Sequence, residues 1–395
     1  MNGIIKKTLA LTMVAAIAFG SLTVSSFAAS SVSLNVEGKA ITTTAAEGAI
    51  FIDGANRTQV PVRVLANSLG KSISWNSVTQ TVTIDGNVII KIGVSEIKSA
   101  NGTIKMDTSA MIKDGRTYVP ARFIAEALGL GVTTSTSSSG TLSVNIAKLS
   151  GKLVIAGSTS SQPLSDELAT AFMKQYPGVA VEVQGGGSGV GIAAALSGAC
   201  DIGASSRELS ATETGFVQYD FAKDGIAVVV NKDVSVTTLT MDQIKKIYTG
   251  ETKNWKEVGG SDKPIVVVSR EEGSGTRGAF IELTKVLDST KKDLTTINAI
   301  VQPSTGAVMQ TVKNTPDSIG YVSLGSLDTS VKSLNVGGVA CTEANVINKT
   351  YKLSRPFIYV TSGKESAAAQ TFLNWVMRAE AQKIVSRDFI SILSK

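Results

Sequence analysis

The chain has 395 residues, 43% of them hydrophobic and 18% charged, with a formal net charge of +6. That length predicts two or three domains, and so weak and dispersed a charge, with no basic run interleaved with aromatics, excludes a nucleic-acid binder. There is no histidine at all, which excludes Ser-His-Asp and Cys-His catalysis, most zinc sites and imidazole-based copper sites; no metal, no cofactor and no enzymatic activity are expected.

Residues 1–28 read as a secretory signal. "MNGIIKK" is a basic start, "TLALTMVAAIAFGSLTV" is apolar, and "SFA" ends in small residues, which places cleavage after Ala28 and the mature protein outside the cytoplasmic membrane, extracellular or on the cell surface. The alternative is an uncleaved anchor, for which the apolar run is just long enough. No cysteine lies near the end of this leader, so a lipid anchor is not expected, and no later segment reads as a membrane span. The two cysteines, Cys200 and Cys341, show neither redox nor metal spacing. An exported protein can pair them; two unpaired, buried small residues fit equally well.

Residues 57–70, "RTQVPVRVLANSLG", and 116–129, "RTYVPARFIAEALG", are identical at eight of fourteen positions, an internal duplication. Each copy predicts a short strand, a proline and a helix of about three turns closed by glycine. Strand-like "VTIDG", "VIIKIGV" and "GTLSVNI" follow. Arg63 and Arg122 hold equivalent places and are expected to pack on the strands of their own repeats. "TTSTSSSG" (133–140) reads as a loop. The region 31–148 resembles the small domain first described at the N-terminus of copper amine oxidases, through the paired R-T-x-V-P-x-R motifs and "ISW" at 73–75. In the second copy "VTTSTSSSG" stands where another tryptophan is usual. The resemblance implies a non-catalytic domain, and a spacer or attachment role to cell wall or glycan is its expected use.

From about residue 151 the pattern becomes β-α-β-α, predicting an α/β fold with parallel sheets. Three times a strand runs into a small polar loop and then a helix. The loops are "STSS" (158–161) after "KLVIAG", "GGGSGVG" (185–191) after "VAVEVQ", and "REEGSGT" (270–276) after "PIVVVS". Each places backbone N–H groups and hydroxyls at the positive end of a helix dipole. One such loop is weak evidence; three, one carrying an arginine, predict a convergent anion site. Neither a dinucleotide fingerprint nor a Walker P-loop is present, and Ser188 sits in no G-x-S-x-G elbow.

Residues 151–395 resemble the PstS family, the phosphate-binding proteins of bacterial ABC importers. The resemblance rests on "AGSTSSQPLSDELA", "VQGGGSGVGIAAALSGACDIGASSREL", "DGIAVVVNKD", "LTMDQIKKIYTGETKNWKEVGG" and "VVVSREEGSGTRGAF". It implies a periplasmic-binding-protein fold: two α/β lobes joined by two crossover strands, with lobe one about 152–225 plus 356–395 and lobe two about 226–355. Cys200 and Cys341 then fall in different lobes, where a disulfide would lock the hinge, so none is expected. Carried over residue by residue, the ligand set is Thr159 and Ser160 from the first loop, Ser188 from the second, and Arg270, Ser274, Gly275 and Thr276 from the third. Ser158 is a secondary candidate. Glu272 is expected to pair with Arg270 and orient it. Familiar members carry an aspartate where Ser206 stands here, which leaves selectivity among oxyanions open. Its neighbour Arg207 is either a second ligand or a lobe-surface charge. The expected function is capture of inorganic phosphate and delivery to ABC permease subunits in the membrane; the alternative is a surface-tethered sensor or scavenger of phosphate or another oxyanion.

Overall fold

The computed structural model describes residues 32–100 and 102–394; the leader expected over 1–28 lies outside them. The duplicated sequence forms the first unit. Strand Thr58–Pro61 lies antiparallel to strand Arg116–Pro120, with Tyr118 opposite Pro61, Val119 opposite Val60 and Pro120 opposite Gln59. Val60 and Val119 are equivalent positions of the duplication, so a local two-fold axis passes between them and exchanges the copies. Each strand turns into a helix at its proline, α1 (Val62–Ser68) after Pro61 and α2 (Ala121–Ala127) after Pro120. The fixed φ of proline suits the residue that opens a helix, where its missing N–H costs no bond.

These helices have seven residues, about two turns rather than the expected three. Gly70 and Gly129 follow with φ of 64° and 73°, the left-handed conformation that stops a helix. Arg63 and Arg122 are exposed rather than buried against the strands of their repeats, because the inward positions of the helices are taken by Leu65, Ala66, Ile124 and Ala125. The Ser/Thr stretch is also more ordered than a loop. Strand Leu130–Thr136 pairs in register with Leu142–Lys148, and the turn is confined to the residues between them. Threonine is a good strand former on a half-exposed pleat, and here the strand is paired along its whole length with one neighbour.

The second unit is two-lobed. In lobe one, parallel strands Gly151–Gly157, Val179–Gln184 and Ile202–Ser205 alternate with α3 (Gln162–Gln175) and α4 (Ser188–Ser197). In lobe two, α5 (Met241–Thr249), α6 (Gly275–Thr284), α7 (Thr305–Asn314) and α8 (Glu343–Ile347) surround parallel strands Val266–Arg270, Ile300–Gln302 and Ser318–Ser323. The chain then returns to lobe one as α9 (Ala367–Val376) and α10 (Ala379–Val385).

Two long strands, Val217–Val230 and Ser354–Thr361, cross between the lobes and pair antiparallel. Where they pair, Asp224 faces Arg355 and the two form a buried ion pair at 2.8 Å. Such a pair specifies register more than it adds stability. Each lobe has its own aromatic core: Phe221 stacks on Tyr359 at 3.8 Å in lobe one, and Phe280 on Tyr321 at 4.0 Å in lobe two. Cys200 and Cys341 are both buried and free.

The two units meet on lobe one. Glu126 of α2 receives both terminal guanidinium nitrogens of Arg378, which caps α10, and the Thr134 N–H donates to Gln370 of α9 at 3.4 Å. Among the described residues no helix is long and apolar enough to cross a membrane.

Candidate functional site

Strand Val266–Arg270 ends by sending Arg270 into the cleft between the lobes, where it is 1% exposed. Tyr321, stacked in the lobe-two core, fixes this strand end: its hydroxyl lies 2.9 Å from the Ser269 hydroxyl and accepts the Arg270 N–H at 3.2 Å. Arg277 donates to the Arg270 carbonyl at 2.8 Å and pairs with Asp293. The guanidinium is held by Glu271, not by the expected Glu272. Its Nε donates to Glu271 Oε2 and its Nη2 to Oε1, both at 2.8 Å. Glu272 lies one residue further along, in the turn, exposed to solvent; a planar fork needs a carboxylate that can fold back alongside it, and only Glu271 is placed to do so.

The remaining donors of Arg270 reach across the cleft to Thr159 of lobe one and, within lobe two, to Thr305. Nη2 donates to Thr159 Oγ1 and Nη1 to Thr305 Oγ1, each at 3.2 Å. The Ser160 hydroxyl lies 2.7 Å from that of Thr276 and 2.9 Å from that of Thr305. Ser188 opens α4 after Gly187, whose φ of 94° only glycine adopts easily, and its Oγ accepts the Ser206 N–H at 3.0 Å. Gly275 opens α6, and a β-carbon there would lie 2.1 Å from Ser188 Oγ and 2.7 Å from Ser206 Oγ. The lobes are thus shut on each other, and Ser160, Ser188, Ser206, Arg270, Ser274, Thr276 and Thr305 are all at most 3% exposed.

The structure therefore brings Thr159, Ser160, Ser188, Ser206, Arg270, Gly275 and Thr276 into one enclosed place. Ser274 stands beside them as the N-cap of α6, its hydroxyl accepting the Arg277 N–H. Ser158 turns its hydroxyl into its own loop, accepting the N–H groups of Ser160 and Ser161. Arg207 is gripped by Glu213 through two bonds of 2.7 Å, which makes it a paired charge at the lobe edge rather than a free ligand.

Besides Glu271, Thr305 is a site residue that sequence reasoning missed. It opens α7 behind the N-cap Ser304. Its signal was legible in form, since "VQPSTGAV" repeats the strand, small polar loop, helix design of the other three. Four helix N-termini, those of α3, α4, α6 and α7, now converge on the cleft, each bringing N–H groups that have no partner within the helix and a partial positive charge. With Arg270 matched by Glu271, the site is rich in neutral donors and poor in net charge. That arrangement suits a reversibly held oxyanion. Among the described residues no cluster of carboxylates and thiols could hold a metal ion.

Comparison with known proteins agrees with this geometry. A family model described as a PBP superfamily domain matches residues 131–380, and one described as a copper amine oxidase N-terminal domain matches 35–143. In the structure the shared stretch, through strand Leu142–Lys148, belongs to the first unit, where it pairs with Val32–Val36. The chain is 34% identical to the phosphate-binding protein PstS of Bacillus subtilis (strain 168) over 246 residues, 61% of this chain and 80% of that protein. It is 30% identical to PstS of Borreliella burgdorferi over 240 residues, 58% of this chain and 86% of the relative. Among solved structures, a phosphate ABC transporter substrate-binding protein of Clostridium perfringens, crystallised with bound phosphate, superposes with a TM-score of 0.59 at 39% identity, covering 61% of this chain and all of that one. A Vibrio cholerae ABC-type phosphate transport receptor superposes with a TM-score of 0.53 at 34% identity, with the same coverage. The chain belongs to the PstS family of phosphate-binding proteins, in the PBP superfamily, with a copper amine oxidase N-terminal domain added in front.

Proposed function

We propose that this chain captures inorganic phosphate between its lobes, outside the cytoplasmic membrane, and delivers it to the permease of an ABC importer. The observation that carries this is the convergence of four helix N-termini and the hydroxyls of both lobes around one buried arginine. The phosphate ligands are the hydroxyls and N–H groups of Thr159, Ser160, Ser188, Ser206, Ser274 and Thr276, the Gly275 N–H, Arg270, and in addition Thr305. Glu271 fixes the guanidinium plane and offsets its charge, so that affinity rests on many neutral donors and release stays feasible. Because the ligands come from both lobes, an anion favours the closed form by bonding both at once, and that closed form is the state a permease can distinguish.

Equilibrium dialysis with radiolabelled phosphate tests the assignment. Arg270→Ala is expected to weaken binding at least tenfold, about 1.4 kcal/mol, with the circular dichroism spectrum unchanged. Unaltered affinity in a folded variant would place the phosphate elsewhere.

A further inference from the structure

The first unit carries a cavity of about 460 Å³, within the range of roughly 300–1,000 Å³ typical of small-ligand sites. It lies between α1 with its following strand, Ile73–Asn76, and the hairpin before α2. Trp75 on its wall is 41% exposed and Ile112 48% exposed. Arg63 and Asn67 of α1 line the same space. Both side chains are exposed and make no hydrogen bond or ion pair with any described residue. The rim is fixed: Glu47 accepts the Thr44 N–H and hydroxyl, and Arg116 donates to the carbonyls of Ala45, Ala46 and Asp114.

The local two-fold axis says what this face is not for. Its counterpart on the second copy contains Glu126 in place of Asn67 and Thr134 in place of Trp75, and lobe one contacts it there: Glu126 is buried against Arg378, while Thr134, itself exposed, donates its N–H to Gln370. Where the copy docks on protein, it presents a carboxylate for an ion pair and a small residue that allows close approach. Where it is open, the same positions hold an amide and a broad aromatic face, with an unpaired arginine one turn away. An aromatic face packs well against the C–H face of a sugar ring, because its negative quadrupole meets weakly positive hydrogens. Amide and guanidinium groups supply the paired donors that hydroxyls and carboxylates take.

The geometry points to an oligosaccharide site on the first copy, taking a sugar ring on Trp75 and an acidic substituent on Arg63. Anionic sugars are preferred because two guanidinium groups, Arg63 and Arg116, face the cavity against the single carboxylate of Glu47.

The test uses the full chain saturated with phosphate, titrated with tetramers of galacturonate, alginate and hyaluronan and with neutral chitotetraose, followed by tryptophan fluorescence. Trp255 and Trp375 are buried, so a blue shift on binding reports Trp75. At least one acidic tetramer is expected to bind, at least tenfold more tightly than chitotetraose. Arg63→Ala is expected to remove that preference. Trp75→Ala, read by calorimetry, is expected to lose binding at least tenfold while phosphate affinity stays unchanged. No response to any of the three acidic tetramers, or equal binding by a folded Trp75→Ala, would overturn the proposal.

Discussion

One position separates two readings of "SREEGSGT". Two adjacent glutamates follow Arg270, and spacing alone does not choose between them. The strand ends at Arg270, so Glu271 leaves it with freedom to fold back along the guanidinium, while Glu272 enters the turn and faces water. Gly275 shows a different kind of constraint. Its φ is not in the left-handed region, so alanine fits its backbone, and alanine is also a better helix former. What forbids a side chain is the other lobe: a β-carbon would lie 2.9 Å from Ser188 Cβ as well as within 2.1 Å of its Oγ. Gly275→Ala is therefore predicted to keep or slightly raise the melting temperature while weakening phosphate binding at least tenfold, because the added methyl props the lobes apart. Calorimetric titration beside a thermal melt checks this; full affinity in the variant would mean that these lobes do not close on this contact.

The strand, loop and helix units were the most readable part of the sequence. Apolar runs such as "KLVIAG" and "PIVVV" end in small polar residues for a physical reason: backbone N–H groups at a helix start need room and partners. Three such units were legible, and the resemblance supplied the lobes. The fourth, leading into Thr305, was hidden because strand Ile300–Gln302 is short and mostly exposed, so its apolar signal is weak beside that of the buried strands. Strand Leu130–Thr136 was obscured for a related reason. Its last three residues are exposed, and Ser and Thr on an open pleat look in sequence like a loop. The two repeat helices were read too long because the periodic pattern runs on to Leu69 and Leu128, residues that cap the helix rather than extend it. The partner of Arg207 was not readable at all, since Glu213 lies on an irregular stretch whose path only the fold decides.

Across the molecule, one buried contact ties the duplicated unit to lobe one. Glu126 is 2% exposed and sits among Arg378, Arg122 and Glu380. Burial pushes its carboxyl up from 4.5 to about 7, against the pull of Arg378 and Arg122. A carboxyl whose folded value lies above its unfolded one holds its proton more tightly in the folded state. Its contribution therefore makes stability fall as pH rises from about 4.5 towards 7, and level off above that. Glu126→Gln keeps the shape and cannot titrate, so its melting temperature is predicted to drop less than that of the natural chain between about pH 5 and about pH 7.5. An identical drop in both would remove Glu126 from the account. The cleft lies apart from this junction, and there donors from two lobes hold the oxyanion while an acceptor is needed to recognise a proton on it. Phosphate carries a proton near neutrality and can donate to the Ser206 hydroxyl, while sulfate has none to offer; if the Ser206 proton is given to Ser188, 3.4 Å away, sulfate leaves that acceptor unmet, at a cost of about 1–3 kcal/mol. The most direct measurement is calorimetric titration of the full chain with phosphate and then with sulfate at neutral pH. Phosphate should bind at least tenfold more tightly than sulfate; equal binding of the two, or no binding of phosphate, would contradict the account.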